Sequence, residues 1–238
     1  MTKFIIVASG KGGVGKTTTA INLGTALNRF GRDVIVVDGN LTTPNIGLYL
    51  GVSKVPVTLH DSLNGKSVLN AIYRHASGLK VVPGDISITA LSKLDAKNLK
   101  NALQKLNGAS EIVIIDSAAG FYKDNLNLMG LADEILIITT PDLTSVTDSL
   151  KTVRFAEAKN VTILGIVLNK VRGDNLELSA ENVETILDNP IIAVIPESND
   201  VREAQAAKHP VVYTNPNSDV SKEFKRLATR LIDKEHRR

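Results

Sequence analysis

The chain of 238 residues contains no cysteine and no tryptophan. Without a thiol there can be no disulfide framework, catalytic thiolate, cysteine-ligated zinc or iron–sulfur cluster, so cluster carriers and redox switches are excluded. Aromatic residues make up only 4% of the chain, which leaves few flat faces for stacking single-stranded bases. No apolar run approaches the roughly 18 residues that cross a bilayer. The run after Lys3 is broken at Ser9 and Lys11, too early for a secretory signal, so the expected location is the cytoplasm. An excess of charge of either sign is also lacking over most of the chain. The formal net charge is +3, and residues 222–238 alone carry seven Lys/Arg against three acids. The other 221 residues hold 21 basic and 22 acidic side chains, unlike the broad basic face of a dedicated nucleic-acid binder.

What is present is apolar material in short blocks, 43% of the chain. Phe4 to Ala8, Val34 to Val37, Ile112 to Ile115, Ile135 to Ile138, Ile163 to Leu168 and Ile191 to Ile195 are continuous Ile/Val-rich runs without polar alternation. Such runs suit strands buried on both faces. Between them, spacings such as Ala20, Leu23, Leu27 and Leu99, Leu103, Leu106 are helical. The pattern predicts an α/β fold, a doubly wound, mostly parallel sheet flanked by helices, forming one domain over residues 1–238. Ligands of such sheets bind at the carboxyl ends of strands. Asp95 and Ser179 are the expected helix N-caps, and Gly31, Asn107-Gly108 and Asn189-Pro190 the expected stops.

The loop after the first strand reads Gly10-Lys11-Gly12-Gly13-Val14-Gly15-Lys16-Thr17-Thr18, which fits GxxxxGK[ST]. Its glycines let successive backbone N–H groups approach a polyphosphate, and the following helix offers its positive end. Lys16 is expected on the terminal phosphate oxygens and the Thr17 hydroxyl on Mg²⁺. Asp38 and Asp116 each follow an apolar strand. They are the expected acids of the Mg²⁺ site, acting largely through its water shell.

The string KGGVGKTT, with its second lysine Lys11, resembles the deviant Walker A loop of the MinD/ParA (SIMIBI) ATPases. Similarity continues through VVDGNLTTPNIGLYLG, TLHDSLNG, IVIIDSAAG, ILGIVLNK and AVIPES, and is greatest to archaeal MinD-like cell-division ATPases. The resemblance implies ATP or ADP with Mg²⁺ as cofactors. It makes Lys11 the signature lysine, which in that family contacts the nucleotide of the facing subunit, and so implies an ATP-bound homodimer. Asp38 to Asn45 would be switch I. Asp116 to Gly120 would be switch II, with the Gly120 amide aimed at the γ-phosphate. Asn169 would contact adenine and Pro196-Glu197 would flank it. The whole loop from Gly10 to Thr18 would hold the nucleotide, and Lys11, Lys16, Asn40 and Asp116 would be the catalytic set. A guanine reader would need an acid three residues after Asn169. Arg172 stands there, favouring ATP, although Asp174 is only two residues further on.

Two positions depart from the family pattern. Switch I usually reads Asp-x-Asp, and here the second aspartate is Asn40. An amide can orient water but cannot take its proton. Because the transition state of phosphoryl transfer is loose, hydrolysis is expected to survive such a change as a slow reaction. Ala118 replaces a frequent Pro of switch II and loosens that turn without removing a ligand.

Three functions fit: a partner-stimulated ATPase that positions the division site or cell pole, an ATP-locked switch with negligible turnover, and a ParA-like DNA-partition ATPase. The first is preferred, with an unidentified activating protein as partner. Val220, Phe224, Leu227 and Leu231 recur at helical spacing and are expected to form the final core helix, with nothing bulky and apolar after Ile232. The tail's excess charge supplies about 4 kcal/mol at an anionic membrane, a millimolar affinity. Contact with the inner face of the membrane is therefore expected to be weak, and DNA is the less favoured partner. His60, His75, His209 and His236 show no metal-binding spacing and read as surface or turn residues. No GxSxG nucleophile motif is present.

Overall fold

The computed structural model describes residues 1–92, 98–120 and 128–236. Eight strands form one sheet: β1 (Lys3–Ala8), β2 (Val34–Asp38), β3 (Tyr73–Arg74), β4 (Lys80–Val82), β5 (Ile112–Asp116), β6 (Glu134–Thr139), β7 (Thr162–Val171) and β8 (Ile191–Pro196). Their order is β3-β4-β2-β5-β1-β6-β7-β8. Every neighbouring pair is parallel except β3 with β4. The six apolar runs of the sequence are six of these strands. The other two, β3 and β4, are only two and three residues long and include Arg74 and Lys80, so no apolar run marks them.

Strand residues alternate between two apolar layers. Ile5 and Val7 of β1 join one, with the helix Lys16–Arg29 and the final helix Asp219–His236. Phe4, Ile6 and Ala8 join the other, with the helices Leu59–Leu63, Leu143–Ala158 and Ala180–Leu187. Apolar residues on both faces explain why the runs lack polar alternation. As expected, Val220, Phe224, Leu227 and Leu231 of the final helix are buried, against the helix Lys16–Arg29 and β8.

The Ser179 hydroxyl caps its helix by accepting from the Asn182 amide at 3.2 Å. Gly31 follows the end of the first helix with φ +82°, and Asp188 in the left-handed region ends another just before Asn189-Pro190. The helix Leu99–Gln104 stops before Asn107-Gly108. Asp95 lies outside the described residues. No helix among the described residues is long and apolar enough to cross a membrane.

Two histidines depart from their expected surface placement. His60 and His75 are 3% and 7% exposed. A lone imidazole can go inside when both ring nitrogens find partners. His60 lies between the Leu41 carbonyl and the Asp85 amide. His75 lies between the Ser77 hydroxyl and the Lys208 carbonyl.

Leu227 is fully buried between the final helix, the first helix and the sheet. Leu227→Ala should lower unfolding free energy by about 2–5 kcal/mol, read from urea denaturation midpoints at unchanged slope.

Candidate functional site

Between β1 and the helix starting at Lys16, the backbone turns with Gly13 at φ +79° and Gly15 at φ +98°. Any side chain on Gly15 would also meet the Asn169 amide, 2.2 Å from its Cβ position. Gly10 is constrained differently: a Cβ there would lie 2.1 Å from the Asp148 carbonyl oxygen of the helix Leu143–Ala158. The helix after Gly15 has no side-chain cap and no acid in its first turn. Its leading N–H groups and positive end therefore remain available to an anion.

Two donors fix the loop. Asn169 Nδ2 donates to the Val14 carbonyl and Lys170 Nζ to the Gly13 carbonyl, each at 2.7 Å. The C=O and N–H of one peptide plane point opposite ways. Fixing these two carbonyls thus also fixes the N–H groups of Val14 and Gly15, pointing away from Lys170 and Asn169, and successive fixed N–H groups of this kind are what an anion nest requires. Lys170 was not singled out from the sequence, and the Asn-Lys pair near a strand end is the signal that could have found it. Asn169, expected just past the strand end at Leu168, lies within β7, which continues through a bulge to Val171 with Lys170 at φ +57°.

Lys16 is buried and its Nζ donates to the Ser9 hydroxyl at 2.9 Å. Burial lowers its pKa, opposed by the Asp116 charge. Thr17 Oγ1 donates to Asp116 Oδ2 at 2.5 Å, and the Ile46 amide donates to Asp38 Oδ2 at 2.8 Å. Asp38 and Asp116 stand side by side in the register of β2 and β5, and the Oδ1 of each is buried without a hydrogen-bond partner. Burial pushes the Asp116 carboxyl up to about 6, against the Thr17 hydrogen bond and the Lys16 charge. Burial and then the neighbouring Asp116 raise Asp38 well above the carboxylate range. Two orphaned hard oxygens beside a threonine hydroxyl fit Mg²⁺. Among the described residues no three His, Asp or Glu side chains stand close enough to hold a metal alone. A cation here would need phosphate and water oxygens to complete its shell.

A cavity of about 970 Å³ opens above these groups, within the range of small-molecule sites. Gly12, Gly13, Gly15, Lys16, Thr17, Thr18, Asn40, Asn169, Pro196 and Glu197 line it, so most sequence-predicted site residues converge there. Asp38, Asp116 and Val14 are buried and do not line it.

Three expected residues are engaged with other groups of the chain. The Gly120 amide donates to the Ser9 carbonyl at 3.0 Å. Lys11 turns onto its own chain, with Nζ 2.8 Å from Thr144 Oγ1 and 3.6 Å from Asp142 Oδ1. Asn40 closes a local turn, accepting from the Thr43 amide at 3.2 Å and donating to the Thr43 hydroxyl at 2.9 Å. Arg172 pairs with Glu197, and that pairing lowers the Glu197 pKa.

Residues 5–211 match the family model of the CobQ/CobB/MinD/ParA nucleotide binding domain. An uncharacterized ATP-binding protein of Methanocaldococcus jannaschii is 36% identical over 229 residues, covering 96% of this chain and 87% of the relative. The cell division ATPase MinD of Pyrococcus furiosus superposes with a TM-score of 0.93 at 34% identity, covering 98% of this chain and 99% of that one. The septum site-determining protein MinD of Pyrococcus horikoshii OT3, solved with Mg-ADP, also gives 0.93, at 33% identity and 99% and 98% coverage.

The raised carboxyl of Asp116 has a pH consequence. Its folded pKa of about 6 exceeds the ordinary 3.8. The folded state therefore binds the proton more tightly, and that contribution to stability is lost as pH rises from about 4 through about 6. Without nucleotide or Mg²⁺, Asp116→Asn should flatten this part of the stability profile. It should also melt above the wild type at pH 7, while losing Mg²⁺-dependent nucleotide binding. Thermal melts across pH and calorimetry with Mg-ATP check both halves.

Proposed function

The chain belongs to the CobQ/CobB/MinD/ParA nucleotide-binding family, and from that premise we propose that it is a MinD-like ATPase. In this reading it dimerises on binding ATP and acts as a spatial regulator of the division site or cell pole, hydrolysing ATP slowly until a protein partner speeds the reaction. The observation that carries this is the pair of buried carboxylates, each with an orphaned oxygen, beside Thr17 at the mouth of an anion nest.

Lys16 meets the terminal phosphate charge from a dry position. Thr17, Asp116 and Asp38 would hold Mg²⁺, which when bound neutralises charge on the phosphate oxygens. In hydrolysis a water oxygen bonds to the γ-phosphorus as the bond to the bridging oxygen breaks, releasing ADP and phosphate. Asn40, freed from Thr43, orients that water by hydrogen bonds and leaves its proton to phosphate or solvent. The Gly120 amide reaches the γ-phosphate after exchanging its Ser9 partner. Lys11 exchanges Thr144 for the nucleotide of a second copy, where a cation beside the transferring group can be worth about 10³–10⁵ in rate.

A second reading, an ATP-locked switch without turnover, draws on the engagement of both polar atoms of the Asn40 amide by Thr43. The working location is the cytoplasm, with weak contact at the inner membrane face. DNA partition is the less favoured role.

Sizing the protein with ADP, ATP and a non-hydrolysable analogue should give a dimer only with the triphosphates, and Lys11→Ala should stay monomeric while still binding nucleotide. Phosphate release should be slow but measurable in the wild type and faster in Asn40→Asp, by less than about 100-fold because a base adds little to a loose transition state. If both bind ATP and neither releases phosphate, the ATPase assignment is wrong and the locked switch stands.

A further inference from the structure

His60 lies outside the nucleotide cavity, yet it joins the loops that leave two strands of the sheet. It sits on the short helix Leu59–Leu63, capped by a reciprocal pair in which Asp61 Oδ2 accepts from the Thr58 amide and Thr58 Oγ1 from the Asp61 amide. The helix is fastened to the end of β4 where the Leu59 amide donates to the Pro83 carbonyl at 2.9 Å. From there His60 Nδ1 accepts the Asp85 amide at 3.0 Å, and His60 Nε2 lies 2.9 Å from the Leu41 carbonyl. An amide can only donate and a carbonyl can only accept, so the ring must be neutral with its proton on Nε2. Leu41 directly follows Asn40, whose side chain lines the cavity. Around the same ring, Pro44 of switch I packs on Gly84 so closely that a Cβ there would be 2.5 Å from Pro44 Cβ and 3.4 Å from His60 Cε1. Beyond Asp85 the chain exposes Ile86 and Ile88, at 47% and 84%.

We propose that His60 is a positioning residue that ties switch I at Leu41 to the loop 84–88. Through it the nucleotide in the cavity that Asn40 lines sets the conformation of the exposed Ile86–Ile88 segment, and anything that fixes that segment changes nucleotide affinity in return. The inference rests on the nucleotide reading above and adds a route from the site to the surface.

Two substitutions divide the linkage. In His60→Asn the amide oxygen replaces Nδ1 toward Asp85 and the Leu41 bond is lost. In His60→Gln the amide nitrogen replaces Nε2 toward Leu41 and the Asp85 bond is lost. Fluorescent ATP and ADP analogues and amide hydrogen exchange read the outcome. His60→Asn should raise exchange over residues 39–45 and cut the preference for ATP over ADP roughly tenfold. His60→Gln should keep that preference, while exchange over residues 84–88 ceases to respond to nucleotide. Wild-type values for both variants in both readouts would reduce His60 to a packing residue and overturn the proposal.

Should a variant fail to fold, ¹⁵N-histidine spectra of the wild type decide. The proposal requires an Nε2–H ring whose shifts differ between the Mg-ADP state and the Mg-ATP-analogue state. Identical spectra in two states that both bind would sink it. If neither nucleotide binds, the nucleotide reading itself falls, and this inference with it.

Discussion

Two carboxylates buried side by side at the ends of neighbouring strands cannot both keep their charge without a counter-ion. Asp38 and Asp116 are in that position because parallel strands of equal reach deliver their last residues to the same edge. Desolvation favours their protonated forms, and at Asp116 the Thr17 hydrogen bond and Lys16, itself losing solvation, offset only part of this. The site is thus electrostatically incomplete by construction. A divalent cation carrying phosphate oxygens would stabilise a cluster that is costly without it, which couples ligand binding to the stability of the sheet edge.

Around that cluster the chain supplies rigidity from far away in sequence. The loop carbonyls of Gly13 and Val14 are held by Lys170 and Asn169, more than 150 residues on, and the segment after β2 begins in a turn closed by Asn40. Lys170 adopts the left-handed backbone at a bulge, a conformation uncommon for a residue with a Cβ. Strain of that kind persists where neighbouring structure over-determines it.

This explains which parts were legible in the sequence. The six long strands were, because burial on both faces forces continuous Ile/Val runs, and the phosphate loop was, because its residues are contiguous. Strands β3 and β4 were not, being too short and too polar to carry a period. Nor were the burial of His60 and His75 or the clamp by Lys170, because each depends on partners that only the folded topology brings near. The tail was legible as a core helix, but the engagement of its cations was not. Lys222 and Arg226 pair with Asp219 and Glu223 one turn back, Lys225 donates to the Pro216 carbonyl and Arg230 to that of Ile192.

The first glycine of the loop answers to a neighbour rather than to a phosphate. Its α-carbon rests on the main chain of the helix carrying Asp148, with no room for even a methyl group. A descendant that had abandoned nucleotides altogether would still be obliged to keep Gly10, so the survival of that residue in a diverged copy would testify to an intact helix–loop seat and say nothing about whether the copy still binds its ancestral ligand.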